Sequence, residues 1–179
     1  MKKIIKIAAL AMALALTIGV FAACGGNSSS SSAGGSDSAA AADSVKGETQ
    51  TWGNITVLVP EGMTLTGGNI LNDKDPDIVN IAKKDNALNY FLITIKDNEE
   101  DVKGGIESTR SINDGCKDVT IDAGASYTGV CYEYSGMDVF HVYGKVDGRI
   151  AIVQCYGFAP DSDTTKAVLS SLKVTKSAE

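Results

Sequence analysis

His141 is the only histidine in this 179-residue chain, and Cys24, Cys116, Cys131 and Cys155 are its only cysteines. These five side chains hold much of the nucleophilic, acid–base and metal-ligating capacity of the sequence. A serine nucleophile finds no G-x-S-x-G turn. The S-x-x-K match at residues 170–173 stands without the S-D-N and K-T-G partners that give it meaning. Zinc would ask for a C-x2-C pair, and none occurs. Asp73, Asp75 and Asp77 echo the start of a calcium loop. Ile78, however, stands where that loop needs glycine, and Lys84 where it needs its last acid, so a solvated acidic turn is expected. No phosphate-cradling glycine pattern is present. No metal, cofactor or catalytic residue is assigned from these residues.

A tyrosine-rich surface is the better candidate. Apolar alternations at 127–134, 137–146 and 149–158 read as strands, joined by two-residue turns at Ser135-Gly136 and Asp147-Gly148. Asp-Gly is a favoured type I′ signal. Turns of this length fix the register. Tyr134 pairs with Met137, so Cys131 faces Phe140; Val146 pairs with Arg149, so Phe140 faces Cys155. Side chains alternate along a strand. One face therefore carries Cys131, Phe140, Val142, Val153 and Cys155. The other carries Val130, Tyr132, Val139, His141, Tyr143, Ile152, Gln154 and Tyr156. Tyr132, His141, Tyr143, Gln154 and Tyr156 form a candidate binding surface, because rigid rings with polar tips suit recognition. The plainer expectation is that a helix covers this face and the hydroxyls reach its rim.

The same register bears on the thiols. Cys131 and Cys155 flank the central strand, about 10 Å apart at ~4.8 Å per strand. That exceeds the ~7 Å a bridge tolerates. Cys116, at the head of the preceding strand, is expected diagonally near Cys131 on the same face. A Cys116–Cys131 disulfide and three reduced, buried thiols both stay open. His141 points away from Cys131 and Cys155, which again speaks against zinc.

Further strands are expected at 55–60 (ITVLVP), 77–82, 90–96 (YFLITIK) and 118–122. A helix at 99–113 places Val102, Ile106, Thr109 and Ile112 near one face, weakened by Gly104-Gly105. Another at 163–172 follows Pro160-Asp161-Ser162, which supplies cap residues. The order β-β-β-α-β-β-β-β-α with tight turns defines an α+β class: a mostly antiparallel sheet of about six to seven strands packed with two helices.

Composition shifts sharply before this domain. Residues 25–50 are mostly Ser, Ala, Gly and Asp with no hydrophobic period, so a disordered linker is expected. Lys2, Lys3 and Lys6 precede an uncharged run at 7–23. Seventeen residues at ~1.5 Å rise reach about 25 Å, short of a ~30 Å hydrocarbon core. A basic start, an apolar centre and a small-residue end describe a secretory signal.

Phe21-Ala22-Ala23-Cys24 resembles the lipobox of bacterial lipoproteins, with Phe21 where that family most often has Leu. The resemblance implies cleavage between Ala23 and Cys24 and a diacylglyceryl group on the Cys24 thiol. The membrane is then a partner through that anchor, and the address is the extracytoplasmic side of the cell membrane. The implied organisation is a signal peptide at 1–23, a lipidated cysteine and linker at 24–50, an α+β domain at 51–176 and a tail at 177–179. Losing Lys2, Lys3 and Lys6 moves the formal charge from −6 to −9. An acidic domain releases few counterions from phosphates, which excludes nucleic acid as a partner.

Three stretches carry a second resemblance: VLVPEGM opening the domain, the helix after YFLITIKDNEE, and the last helix after GFAPDSD. They make residues 52–175 similar to the PsbP/Mog1-like fold, especially to small bacterial lipoproteins that carry it. That family includes binding and assembly proteins with unrelated partners. The resemblance implies a non-enzymatic binding or assembly module of the cell envelope, its partner an envelope protein or a small ligand. The alternatives are an extracytoplasmic hydrolase using His141 and a nearby acid, and a small-solute receptor for a membrane transporter.

Overall fold

The computed structural model describes residues 45–69 and 71–175. The expected signal at 1–23, Cys24, most of the expected linker and the tail at 177–179 lie outside the described residues. The chain order is β1 Gly47–Trp52, β2 Ile55–Pro60, β3 Met63–Gly67, β4 Ile78–Lys83, β5 Tyr90–Lys96, α1 Glu100–Ile112, β6 Lys117–Ala123, β7 Ala125–Tyr134, β8 Met137–Val146, β9 Arg149–Tyr156, α2 Asp163–Ser171 and β10 Lys173–Val174. Seven strands form one sheet in the order β3-β4-β5-β9-β8-β7-β6, and β1-β2-β10 form a second. Each pairing is antiparallel. The α+β class, the seven-stranded sheet and the two helices agree with expectation.

The hairpin register is the one the turns dictate. Tyr134 pairs with Met137, Cys131 with Phe140, Val146 with Arg149 and Phe140 with Cys155. Both turns take the left-handed backbone that a type I′ turn needs: Ser135 has φ 52° and Asp147 φ 49°, each followed by a glycine of positive φ. One face of the sheet packs its Val, Ile and Phe residues against β2 and α2 to form the main core, with Ile55, Phe91, Phe140, Val153 and Leu169 at most 1% exposed. α2 starts where its cap predicts: Ser162 Oγ accepts from Thr165 N at 3.2 Å, and Thr165 Oγ1 donates to Ala159 O at 2.8 Å.

Three strands, β1, β3 and β10, have no counterpart in the expected set. β1 begins at Gly47, so residues 47–50 belong to the domain and not to the linker. GETQTW is polar because it forms one edge of the small sheet and is mostly exposed, so it shows no apolar period. β3 is also an edge strand, with only Met63 and Leu65 facing inward. It supplies the seventh strand of the large sheet, while 55–60 lies in the small one. β10, two residues long, is below the length at which alternation can be read. The strand expected at 149–158 ends at Tyr156, because Gly157 turns the chain with φ 80° and bonds to Asp138 O at 2.8 Å.

Candidate functional site

The outer face of the large sheet carries the candidate surface, and α1 partly roofs it. Val102 and Ile106 of α1 are buried, and the helix packs on β7 and β8. Beneath it, Val130 and Val139 are 0% and 2% exposed. This is the covering helix that the plainer reading expected. Its last turn leaves a cleft of about 150 Å³, lined by Tyr132, His141, Gln154 and Tyr156 from the sheet and by Thr109, Ile112 and Asn113 from the helix end.

Four of the five expected residues therefore meet. Tyr143 does not. It pairs with Thr128 and Ile152 two positions further along β8, where the cleft does not reach. Larger grooves of about 390 and 380 Å³ lie beside β1–β3 and along β6. Neither is lined by histidine, cysteine or tyrosine. A groove of about 310 Å³ adjoins the cleft through Tyr132 and Val139 and adds Cys131, Lys117, Glu133 and Asp138, but no histidine. Chemistry decides, because placed polar groups fix a ligand's orientation.

Hydrogen bonds set the state of His141. Thr109 Oγ1 donates to Gly105 O at 3.0 Å, which spends its only proton. His141 Nδ1, 3.0 Å from the same hydroxyl, must then carry the proton. Nε2 is left as the acceptor, and the Gln154 amide lies 3.4 Å from it. Burial holds the imidazole below its ordinary pKa, so the neutral form is preferred. The partners are a hydroxyl and an amide, with no carboxylate to orient the ring as a base relay would. Among the described residues no carboxylate hydrogen-bonds to His141.

The tyrosines are held as firmly. Tyr90 and Tyr156 are cross-strand partners whose rings stack with centroids 5.0 Å apart. Tyr132 lies two strands beyond Tyr156, across Val139. Burial first, and the neighbouring Tyr156 phenol second, push the Tyr132 phenol well above its ordinary pKa. The cleft is thus lined by uncharged rings and amides. It suits a neutral ligand that offers donors and acceptors.

The thiols take no part. Cys116, Cys131 and Cys155 are all free. The expected approach of Cys116 to Cys131 was one residue out of register: Lys117 pairs with Cys131, and Cys116 precedes the strand. Alternation gives Lys117, not Cys116, the face of Cys131, so the Cys116–Cys131 bridge is absent from this structure. Burial pushes the Cys131 thiol up despite Lys117, and pushes Cys155 further. Neither is an activated nucleophile. Among the described residues no cluster of His, Cys, Asp and Glu could hold a metal. The S-x-x-K serine is structural: Ser170 Oγ donates to Ala167 O at 3.2 Å within α2, and its neighbour Ser171 accepts from Leu58 N and donates to Val168 O, both at 2.8 Å, joining α2 to β2.

One polar centre escaped the sequence reading. Arg149 reaches Asp77 Oδ1 at 2.8 Å and Oδ2 at 3.2 Å, and Asp97 Oδ1 at 2.7 Å. Its side chain is 9% exposed. Asp77 also accepts from Asn54 Nδ2 at 3.0 Å. Burial raises the Asp77 carboxyl, but the hydrogen bonds from Arg149 and Asn54 outweigh it and hold the group below its usual range. Asp77 is therefore not part of a solvated acidic turn. The only sequence signal was a lone arginine after a tight turn, which says nothing about partners 52 and 72 residues away.

No family model and no curated protein matches the sequence. Among solved structures, the chain is similar to a protein from Bacteroides thetaiotaomicron VPI-5482, at 13% identity and a TM-score of 0.44, covering 75% of this chain and 50% of that one. It thus spans half the length of that protein. It is also similar to cyanobacterial PsbP (CyanoP) from Synechocystis sp. PCC 6803, at 12% identity and a TM-score of 0.43, covering 73% of this chain and 92% of that one. Both values are too low to carry a role to this chain.

Proposed function

We propose that the protein is a lipid-anchored lipoprotein on the extracytoplasmic side of the cell membrane. Its α+β domain acts there as a non-enzymatic binding module, and the cleft beside His141 is its recognition surface. The sequence supports the anchor: a basic, then apolar, then small-residue segment ends at Cys24 in a lipobox-like context. The stretches VLVPEGM and GFAPDSD support a PsbP/Mog1-like domain. One observation carries the binding role. Tyr132, His141, Gln154 and Tyr156 line a single uncharged cleft in which the histidine is tied to a hydroxyl and an amide.

Mass spectrometry of the native chain tests the anchor: a mature form beginning at a diacylated Cys24 is expected, and an unprocessed start overturns it. For the cleft, the lipidated chain and its Tyr156→Ala and Gln154→Ala variants are used to capture partners from the protein's own membranes. A partner or small molecule held by the native chain and lost from both variants is expected. Hydrolysis of an ester or amide substrate that disappears in His141→Ala would replace binding by catalysis.

A further inference from the structure

We propose that the end of the domain from which residues 25–46 leave is a docking surface for the lipid bilayer. The surface is read from the fold; only the concentration at which it meets lipid rests on the proposed Cys24 anchor.

The pairings define this end. β1 begins at Gly47, opposite Pro60. The β2–β3 turn lies beside the β4–β5 turn, where Lys84 N bonds to Gly62 O at 3.0 Å. β5 begins at Tyr90 opposite Tyr156, where β9 ends, and Tyr156 pairs on to Val139 near the β7–β8 turn. α1 ends here as well, its Ile112 lining the cleft with Tyr132 and Tyr156. β10 lies at the opposite end, with Val174 against Ile55.

Exposed apolar side chains gather at the tethered end. Among the described residues the large ones are Ile112 at 77%, Leu88 at 66%, Tyr134 at 56% and Leu71 at 97%. The first three sit on the helix end, the β4–β5 turn and the β7–β8 turn around the row of Tyr90, Tyr156 and Tyr132. Leu71 alone lies in the β3–β4 loop at the other end, which also holds the Arg149 ion cluster. Tyrosines with apolar neighbours and polar tips are the side chains that settle at a membrane–water interface.

The chain outside the structure selects the occupant. Twenty-two residues, 25–46, separate Cys24 from Gly47, so a lipid on Cys24 would tether the end where β1 begins and not the end that holds β10. A tether of that length gives an effective concentration near the millimolar range, so weak insertion suffices. The nearby charges are mixed: Lys46, Lys83, Lys84 and Lys117 stand against Glu48, Glu61, Asp85, Asp114, Glu133 and Asp138. Attachment is therefore apolar in origin, tolerant of salt and better on zwitterionic than on anionic lipid.

The test is amide hydrogen exchange on the lipidated chain in phosphatidylcholine vesicles, against the Cys24→Ser chain in buffer. Exchange at residues 84–90, 111–116 and 132–138 is expected to slow about fivefold or more on vesicles, and residues 70–77 to stay unchanged. Equal rates in the two samples overturn the proposal. So does slowing that vanishes when the protein is diluted in lipid, which would mean contact between copies. Leu88→Asp, Ile112→Asp and Tyr134→Asp together change only exposed positions and should abolish the slowing; persistence overturns the proposal. Failure of the anchor is separable. A chain beginning at Gly25, without acyl chains and without the apolar run at 7–23, should still co-sediment with millimolar vesicle lipid, and its triple variant should not.

Discussion

His141 is a half-buried base whose charged form the fold disfavours, and this gives stability a defined pH dependence. Burial lowers its folded pKa, while the unfolded value stays near 6.5. On acidification the unfolded chain therefore takes up its proton first. This contribution is complete above the unfolded value, declines as pH falls toward the folded one, and levels off below it. Urea unfolding between pH 7.5 and 5 should show that decline, and His141→Gln should flatten it. Arg149 makes the opposite kind of residue-scale case. Truncation to Ala strands Asp77 under partial burial and should cost about 3 kcal/mol, at the low end for a broken buried pair, because Asp97 is largely exposed. A fall in the urea midpoint at unchanged slope would show it. The three thiols yield a third expectation. Without reductant, all three should alkylate in denaturant. In the native domain Cys155, which is fully buried, should be the slowest, as intact-mass labelling would read.

At the scale of elements, α1 is the least committed piece. Glu99 at its N-cap makes no side-chain cap bond, leaving Asn98 Oδ1 to accept from Glu100 N at 2.9 Å, and its Glu99–Lys103 pair is exposed and so worth little. Gly104 and Gly105 lie in its middle. A Cβ at Gly104 would meet nothing within 4 Å, whereas one at Gly105 would touch His141 Cε1 at 3.9 Å. Gly104→Ala should therefore stabilise the domain by about 0.5–1 kcal/mol, measured as a rise in Tm, and leave the cleft intact. The pairing of β7, β8 and β9 was legible because Ser135-Gly136 and Asp147-Gly148 allow one hairpin geometry each. β3 was not legible. An edge strand with two inward apolar residues carries too little pattern to stand out from a loop.

For the whole molecule, the domain's N-terminal boundary is the consequential revision. β1 pairs with β2 along its full length, and Trp52 Nε1 donates to Asp75 O at 2.9 Å. A chain starting at Gly53 should lose about 3 kcal/mol, on the order of 10 °C in Tm, relative to one starting at Val45. An unchanged Tm would return residues 47–50 to the linker. The net charge of −6 bears on partners at this scale too, since an acidic surface repels anionic polymers at long range.

Alternation of apolar residues and the turn dipeptides determined by themselves that this chain builds antiparallel hairpins, and which side chains of β7–β9 share a face. Both are local properties, carried within a few residues by pleat and backbone sign. Only the tertiary structure decided what covers each face. It put α1 over β7 and β8 and left the cleft open at its end. It brought Arg149 to Asp77 and Asp97, and set Lys117 rather than Cys116 against Cys131. Those outcomes depend on how separate elements come together across the domain. Periodicity specifies that a face must be covered; it does not specify by what, or how far along.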